Sequence, residues 1–485
     1  MPIRRIFDII GPKGFIPNGI NWNNTDMMWD YNFFITHDFI NKFNNVYTQV
    51  SVYDCNLNIG ECRDIHIGEL VYNSTQNIIE NNTNENFYYT IHPFGNSGIA
   101  NGIDISYHEG QHCFDFISKK AIEYSKAKNF YFIFDYSSEG CIDGNLFESI
   151  HKACERTGIN TSKVIVITAA MNTYDIYKEY LDNQPKSPKN LLYTAFYPWS
   201  LLAKSKDTEA ILFQDNIVNF NGNKNVNSLM KESDLDLLTN RSKKSLCLNR
   251  RLAPHRLILI SYLIDEGLFD ETNTSFDIKM VYTPDAGFDL INGSGFDDKP
   301  YMTGQDFINK IIKGFRTLVK KEKNVLDYDN IWDVWGFGFE SAKLYKETYF
   351  SITTETLFYE AGDYISEKTF KPFQHLHPFV LIGRPGVLKY LQSLGFKTFA
   401  DYWDESYDDI EDNSLRMQKV LGVIKTLINK TNEEWDVLNE ELKPILIHNR
   451  NNLLSYDAKK VGNCYIKNLN TLIKNEPNQK NYHLL

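Results

Sequence analysis

The chain has 485 residues, 42% of them hydrophobic and 14% aromatic, which excludes a disordered protein and leaves room for two domains with sizeable cores. A formal net charge of −11 means that the surface as a whole repels nucleic acid, so any DNA contact must come from a local basic patch. No apolar run approaches the ~18 residues of a membrane helix, the opening MPIRRIFDIIGPKGFIPNG does not read as a signal peptide, and seven scattered cysteines without C-x-x-C spacing fit reduced thiols in a cytoplasm.

In chain order, a first strand is expected near Arg5–Ile10 and a polar, turn-prone loop over Asn73–Asn86. Phe87–His92 alternates as a strand, Pro93–Gly102 is a loop, and His112–Lys126 reads as a helix with Phe114, Ile117, Ala121 and Tyr124 on one face. Phe130–Tyr136 is an uninterrupted apolar strand ending in Asp135-Tyr136-Ser137-Ser138-Glu139-Gly140. The next helix, capped by Asp143 or Asn145, turns Leu146, Ile150 and Ala153 inward and stops at Gly158. Strand Val164–Thr168, helix Tyr174–Leu181 and strand Leu191–Phe196 continue the alternation, the pattern of a Rossmann-like half.

Asn216–Asn227 reads as a loop and Lys231–Lys244 as a charged link, so a domain boundary is expected near 235. Ser245–Leu248 opens a second alternating half. Its loop Asn249-Arg250-Arg251-Leu252-Ala253-Pro254-His255-Arg256 leads into helix Leu257–Glu266, ended by Gly267. Thr303 is expected to cap an amphipathic helix carrying Phe307, Ile311, Phe315 and Leu318, with Asp306 completing a capping box. Tyr349–Thr354 suits a buried strand, and Glu355, Glu360 and Asp363 then lead to a helix opened by Ser366 and containing Pro372. Pro378–Gly383 is another buried strand, followed by a helix with Leu388 and Leu391 inward and a stop at Gly395. Two C-terminal helices start at Ser414 and Thr431, the second with a Thr431-x-x-Glu434 capping box.

The loop between the Ser245 strand and its helix sets guanidinium forks beside a helix start, which suits a diphosphate; Asn249, Arg250, Arg251 and Arg256 are the candidate ligands. The loop around Glu355 and Asp363 lies at the carboxyl end of a buried strand, where ligands of doubly wound sheets sit. Bland alternatives are a solvated basic loop and ordinary loop carboxylates, and Glu360 reads as a bystander.

Asp363-Tyr364-Ile365-Ser366-Glu367-Lys368 resembles the D-Y-I-T-E-K signature of the fucosyltransferase family, with Thr354-Glu355-Thr356 where that family has F-E-N. The longer run through Gly395-Phe396-Lys397-Thr398-Phe399 is similar to glycosyltransferases of tailed bacteriophages, including those that add sugars such as arabinose to hydroxymethylated DNA bases. The resemblance covers about fifty residues. It implies an α/β fold of GT-B type, two Rossmann-like domains facing across a cleft. The expected domains are 1–235 on the acceptor side, 236–430 on the nucleotide-sugar side, and 431–485 as C-terminal helices packing back. It also implies a UDP- or GDP-sugar donor, with Glu355, Asp363, Ser366 and Glu367 near its hydroxyls and Lys368 near the diphosphate.

Such a transferase needs a base for the acceptor hydroxyl. Asp135 and Glu139 at the end of the Phe130–Tyr136 strand are the candidates, with Asp104 and Glu109 next, while His108 and His112 read as surface histidines. The Asp-x-Asp pairs Asp234/Asp236 and Asp327/Asp329 follow no buried strand, so no metal or other cofactor is expected. The expected activity is inverting, metal-independent sugar transfer to an acceptor hydroxyl. The partners are a nucleotide sugar and either DNA with hydroxymethylated bases or a glycan or protein. A non-catalytic nucleotide-sugar-binding protein is the alternative.

Overall fold

The structure is a computed structural model. It describes short strands and the helix Lys119–Ser125 within the first 130 residues, then chiefly 130–136, 144–184, 192–195, 230–236, 239–249, 252–277, 300–321, 342–359 and 362–455. The chain forms two compact units: Met1–Pro198 with Ala361–Tyr364 and Asp457–Leu485, and Trp199–Glu360 with Ile365–Tyr456. Each is an α/β unit built on a wholly parallel sheet.

In the first unit the strands are β1 (Ile3–Phe7), β2 (Tyr47–Gln49), β3 (Asn86–Ile91), β6 (Phe130–Tyr136), β7 (Val164–Thr168) and β8 (Leu192–Ala195), in sheet order β2-β1-β3-β6-β7-β8. The pair β4 (Ser106–Tyr107) and β5 (Gln111–His112) forms a separate antiparallel ladder. His112 therefore lies in a strand, and helix α1 begins only at Lys119 and ends at Ser125. The expected start at His112 fails because His112 pairs with Ser106 in this ladder instead of entering the helix. β7 is buried at all five positions, so it is covered on both faces, as its unbroken Val-Ile-Val-Ile run requires. Helix α2 (Gly144–Thr157) buries Leu146, Phe147, Ile150, Ala153 and Cys154, and Gly158 ends it at φ 74°. Helix α3 (Thr173–Asp182) follows β7 through a buried turn in which Thr168 Oγ1 accepts from Ala170 N at 3.2 Å.

Among the described residues the second unit begins with helix α4 (Glu232–Leu235). Its sheet has β9 (Lys243–Leu248), β10 (Thr272–Ser275), β11 (Thr348–Thr354) and β12 (Phe379–Ile382) in order β10-β9-β11-β12. The chain leaves β9 for β10 on one side and returns for β11 on the other, so the direction of winding switches between β9 and β11. Both β11 and β12 are buried throughout. Its other described α-helices are α5 (Pro254–Asp265), α6 (Gln305–Leu318), α7 (Ala342–Lys346), α8 (Glu367–Gln374), α9 (Val387–Ser393), α10 (Asn413–Ile428) and α11 (Asn432–Ser455).

Helices α5 and α6 pack so closely that a Cβ on Gly314 would lie 1.8 Å from the Ser261 carbonyl oxygen. The N-cap of α6 is Gly304 at φ 87°, without a side-chain cap. The capping box expected from Thr303 is absent because the Thr303 backbone is tied elsewhere, its N–H donating to Ser414 Oγ at 2.8 Å. The box at α11 is present: Thr431 N donates to Glu434 Oε2 at 2.7 Å and Glu434 N to Thr431 Oγ1 at 3.2 Å. No helix among the described residues is long and apolar enough to cross a membrane.

Candidate active site

The carboxyl ends of β9 and β11 lie side by side where the winding of the second sheet switches, the position at which such sheets bind ligands. Asn249 follows β9 and Glu355 follows β11. Asn249 is buried: its N–H donates to the Ser275 carbonyl at 3.0 Å, its Nδ2 to Cys247 Sγ at 3.2 Å, and its Oδ1 accepts from Thr354 Oγ1. Asn249 thus joins β9 to both neighbours at the switch. Burial pushes the Cys247 thiol up to about 12, with Arg256 acting against it.

Glu355 is fully buried, and its backbone N–H donates to the Ile382 carbonyl at 2.8 Å. Its own carbonyl accepts from Arg256 Nη2 at 3.2 Å and lies 2.9 Å from His255 Nε2. That carbonyl can only accept, so His255 carries its proton on Nε2, and Nδ1 is an acceptor with no hydrogen-bond partner among the described residues. Burial holds the imidazole well below its usual range; the charge of Arg256 adds to this and that of Lys368 further, while the bond to Glu355 opposes them. His255, Arg256 and Lys368 therefore share one electrostatic neighbourhood.

The Glu355 carboxylate accepts from Thr356 N at 3.0 Å, from Ser366 N at 3.0 Å on each oxygen, and from Thr369 Oγ1. Ser366 is the N-cap of α8, its Oγ accepting from Lys368 N at 3.3 Å. The Lys368 ammonium lies 3.3 Å from Thr356 Oγ1 and 3.4 Å from Ser366 Oγ. Asp408 occupies the start of α9 in the same way, taking Leu388 N at 3.1 Å and Lys389 N at 3.2 Å. Helix α5, led by Pro254, has no side-chain cap.

The loop after β11 is pinned from a second direction. Buried Arg416 on α10 donates through Nε to the Gly383 carbonyl at 3.1 Å and through Nη2 to that of Phe358 at 3.0 Å, its guanidinium 4.4 Å from the Phe358 ring centre. His255 stacks on the same ring at 5.6 Å.

Asn249, Arg256, Glu355, Ser366 and Lys368 thus converge. Asp363 groups with the first unit, its N–H donating to Asn172 Oδ1 at 2.8 Å and its carbonyl accepting from Met171 N at 2.8 Å. Glu367 is the first residue of α8, and Asp135 is the penultimate residue of β6. Arg250, Arg251, Glu139, Glu360, Asp104, Glu109, Asp327 and Asp329 lie outside the described residues. Among the described residues no group of three or more His, Cys, Asp or Glu could hold a metal ion. Sequence reasoning missed His255, Thr369 and Arg416. Thr369, three residues after the Ser366 cap, was the one with a local signal.

Two cations, Arg256 and Lys368, near a sheet switch suit an anionic ligand. No protein-family model and no curated protein matches the sequence. Among solved structures, a trehalose-6-phosphate synthase, OtsA, is similar at a TM-score of 0.38 and 8% identity, covering 92% of this chain and 85% of that one. The chemistry of the site rests on its own residues.

Proposed function

We propose that the chain is a glycosyltransferase of GT-B type that moves a sugar from a UDP- or GDP-sugar to an acceptor hydroxyl. In this reading the second unit holds the donor. Arg256 and Lys368, with Arg250 and Arg251 of the adjoining loop, neutralise the diphosphate. Glu367 takes the ribose hydroxyls, Ser366 borders the donor, and Asn249 and Glu355 hold the frame. The observation that supports it is the meeting of two stretches about a hundred residues apart, Asn249–Arg256 and Glu355–Lys368, where the second sheet switches direction.

On the acceptor side, Asp135 or Glu139 is the general base. The acceptor hydroxyl gives its proton to that carboxylate as its oxygen bonds to the anomeric carbon, and the nucleoside diphosphate leaves from the opposite face, inverting the centre. The stabilisation of the leaving diphosphate comes from Arg256 and Lys368, without a metal. The phage resemblance favours a hydroxymethylated pyrimidine in DNA as acceptor. A second reading, a glycan or protein acceptor, is favoured by the net charge of −11, which opposes a duplex partner.

The test is incubation with a panel of UDP- and GDP-sugars, alone and with hydroxymethylated DNA or glycans, followed by release of nucleoside diphosphate and the mass of the acceptor. The expected result is release with one donor and a matching mass gain on one acceptor class. Binding of a donor without release or transfer under any combination would favour a non-catalytic binding protein.

A further inference from the structure

The carboxylate of Glu355 is completely buried and faces a helix start instead of open space. Three donors reach the carboxylate, Thr356 N, Thr369 Oγ1 and Ser366 N, the last shared between both oxygens, so that each oxygen accepts two contacts. Its backbone is committed as well, to Ile382, His255 and Arg256. Every polar atom of the residue is thus spent within the second unit. What those bonds hold is informative. Thr356 and Ser366, whose backbone N–H groups point at Glu355, are the two residues whose hydroxyls flank the Lys368 ammonium. The negative charge also sits at the amino end of α8, where it satisfies the helix dipole that would otherwise attract a phosphate.

We propose that Glu355 is a positioning residue: it fixes Thr356 and the Ser366–Thr369 helix start so that Lys368 is held in place for an anionic ligand, and it does not touch that ligand. The inference rests on the donor-site reading above, and it excludes the role of sugar or ribose ligand for this carboxylate. It predicts that Glu355 acts on whatever Lys368 acts on, and only through Lys368.

The experiment compares Glu355→Gln, Thr369→Val, Lys368→Ala and the Glu355→Gln/Lys368→Ala pair. Binding of UDP, GDP, UDP-glucose and GDP-fucose is measured by calorimetry, and amide exchange is followed at Thr356, Ser366 and Thr369. Glu355→Gln keeps the volume but turns an acceptor into a donor facing an N–H. It is expected to weaken the bound free diphosphate and its sugar conjugate by the same factor, about tenfold. Thr369→Val, which removes one donor to the carboxylate, should follow in the same direction by about threefold. The double variant should bind within about threefold of Lys368→Ala alone, since residues acting through one another do not add. Amide exchange at Ser366 should accelerate in Glu355→Gln and not in Lys368→Ala.

Weakening of the sugar conjugate with the free diphosphate unchanged would overturn the proposal, because Glu355 would then contact the sugar. Fully multiplicative losses in the double variant would overturn it too. If the wild-type protein binds none of the four nucleotides, the donor-site reading fails. Exchange then decides the Glu355 contact by itself: unchanged protection of Ser366 in Glu355→Gln counts against the anchor.

Discussion

Arg416 is the residue on which the frame of the site leans most heavily, and replacing it with methionine isolates its polar contribution. Its side chain makes five hydrogen bonds: Nε to Gly383 O, Nη1 to Ile410 O and Glu411 O, and Nη2 to Phe358 O and Asn413 Oδ1. Burial lowers its pKa to about 10, so it stays charged at neutral pH. Methionine retains much of the packing against Phe358 but leaves these acceptors to find other partners. Those of Ile410, Glu411 and Asn413 border exposed residues and can take water, whereas the carbonyls of Gly383 and Phe358 lie among buried residues. Each buried acceptor left unmatched costs about 1–3 kcal/mol, which gives about 4 kcal/mol for the pair and agrees with the ~3–5 kcal/mol typical of breaking a buried charged network. For a unit of this size each kcal/mol shifts Tm by about 2–4 °C, so a fall of roughly 8–16 °C is expected. Scanning calorimetry on Arg416→Met measures it. A melting temperature within about 2 °C of wild type, or above it, would refute the reasoning, since the desolvation of the guanidinium would then equal or exceed what its hydrogen bonds return.

Three further outcomes follow. Gly314→Ala should destabilise by about 3 kcal/mol or more, because the added methyl meets the Ser261 carbonyl, which belongs to helix backbone and cannot swing away; denaturant titration showing less than 1 kcal/mol would contradict the close helix crossing. Burial lowers the pKa of His377 to about 3, with Arg241 adding to it and the bond to Thr348 opposing, and burial lowers that of His151 to about 4. In each case the folded value lies below the unfolded one, so the unfolded chain takes up protons that the folded one refuses. Their contribution is complete above about pH 6.5 and declines as pH falls toward 3 to 4, at about 1.4 kcal/mol per pH unit for each histidine; His377→Gln should flatten the measured slope, and an unchanged slope would count against it. Of Asp135→Asn and Glu139→Gln, one should lower transfer by about a hundredfold with nucleotide affinity and Tm intact. Full activity in both variants moves the base elsewhere, with Asp104 and Glu109 next.

Much of the fold was legible because burial leaves a direct mark on composition. The unbroken runs of β7, β11 and β12 read as strands covered on both faces, Gly158 and Gly267 marked helix ends that do have positive φ, and Ser366 and the Thr431–Glu434 box marked helix starts. Where the reading missed, a partner outside the expected helix decided. Thr303 looked like a cap, but its backbone is tied to Ser414 more than a hundred residues away. His112 was expected to open a helix, yet it pairs with Ser106 in a two-stranded ladder. In the site, the charged loops pointed to Arg256 and Glu355, and the family resemblance to Lys368, but neither showed how they are used. Glu355 reads in sequence as a loop carboxylate, whereas its carboxylate is enclosed by Thr356, Ser366 and Thr369. Arg416 carries no motif, because its acceptors are backbone carbonyls, and any sequence can supply those.

The central claim is that Lys368, at the start of α8, helps to hold the diphosphate of a nucleotide donor. Titration calorimetry of UDP and GDP against wild-type protein and Lys368→Ala tests it most directly. A charge-assisted hydrogen bond is worth about 1.5–3 kcal/mol, so the variant should bind the preferred nucleoside diphosphate at least about tenfold more weakly, with its melting temperature unchanged. Equal affinity in the two proteins, or no binding of either nucleotide by the wild type, would contradict the account.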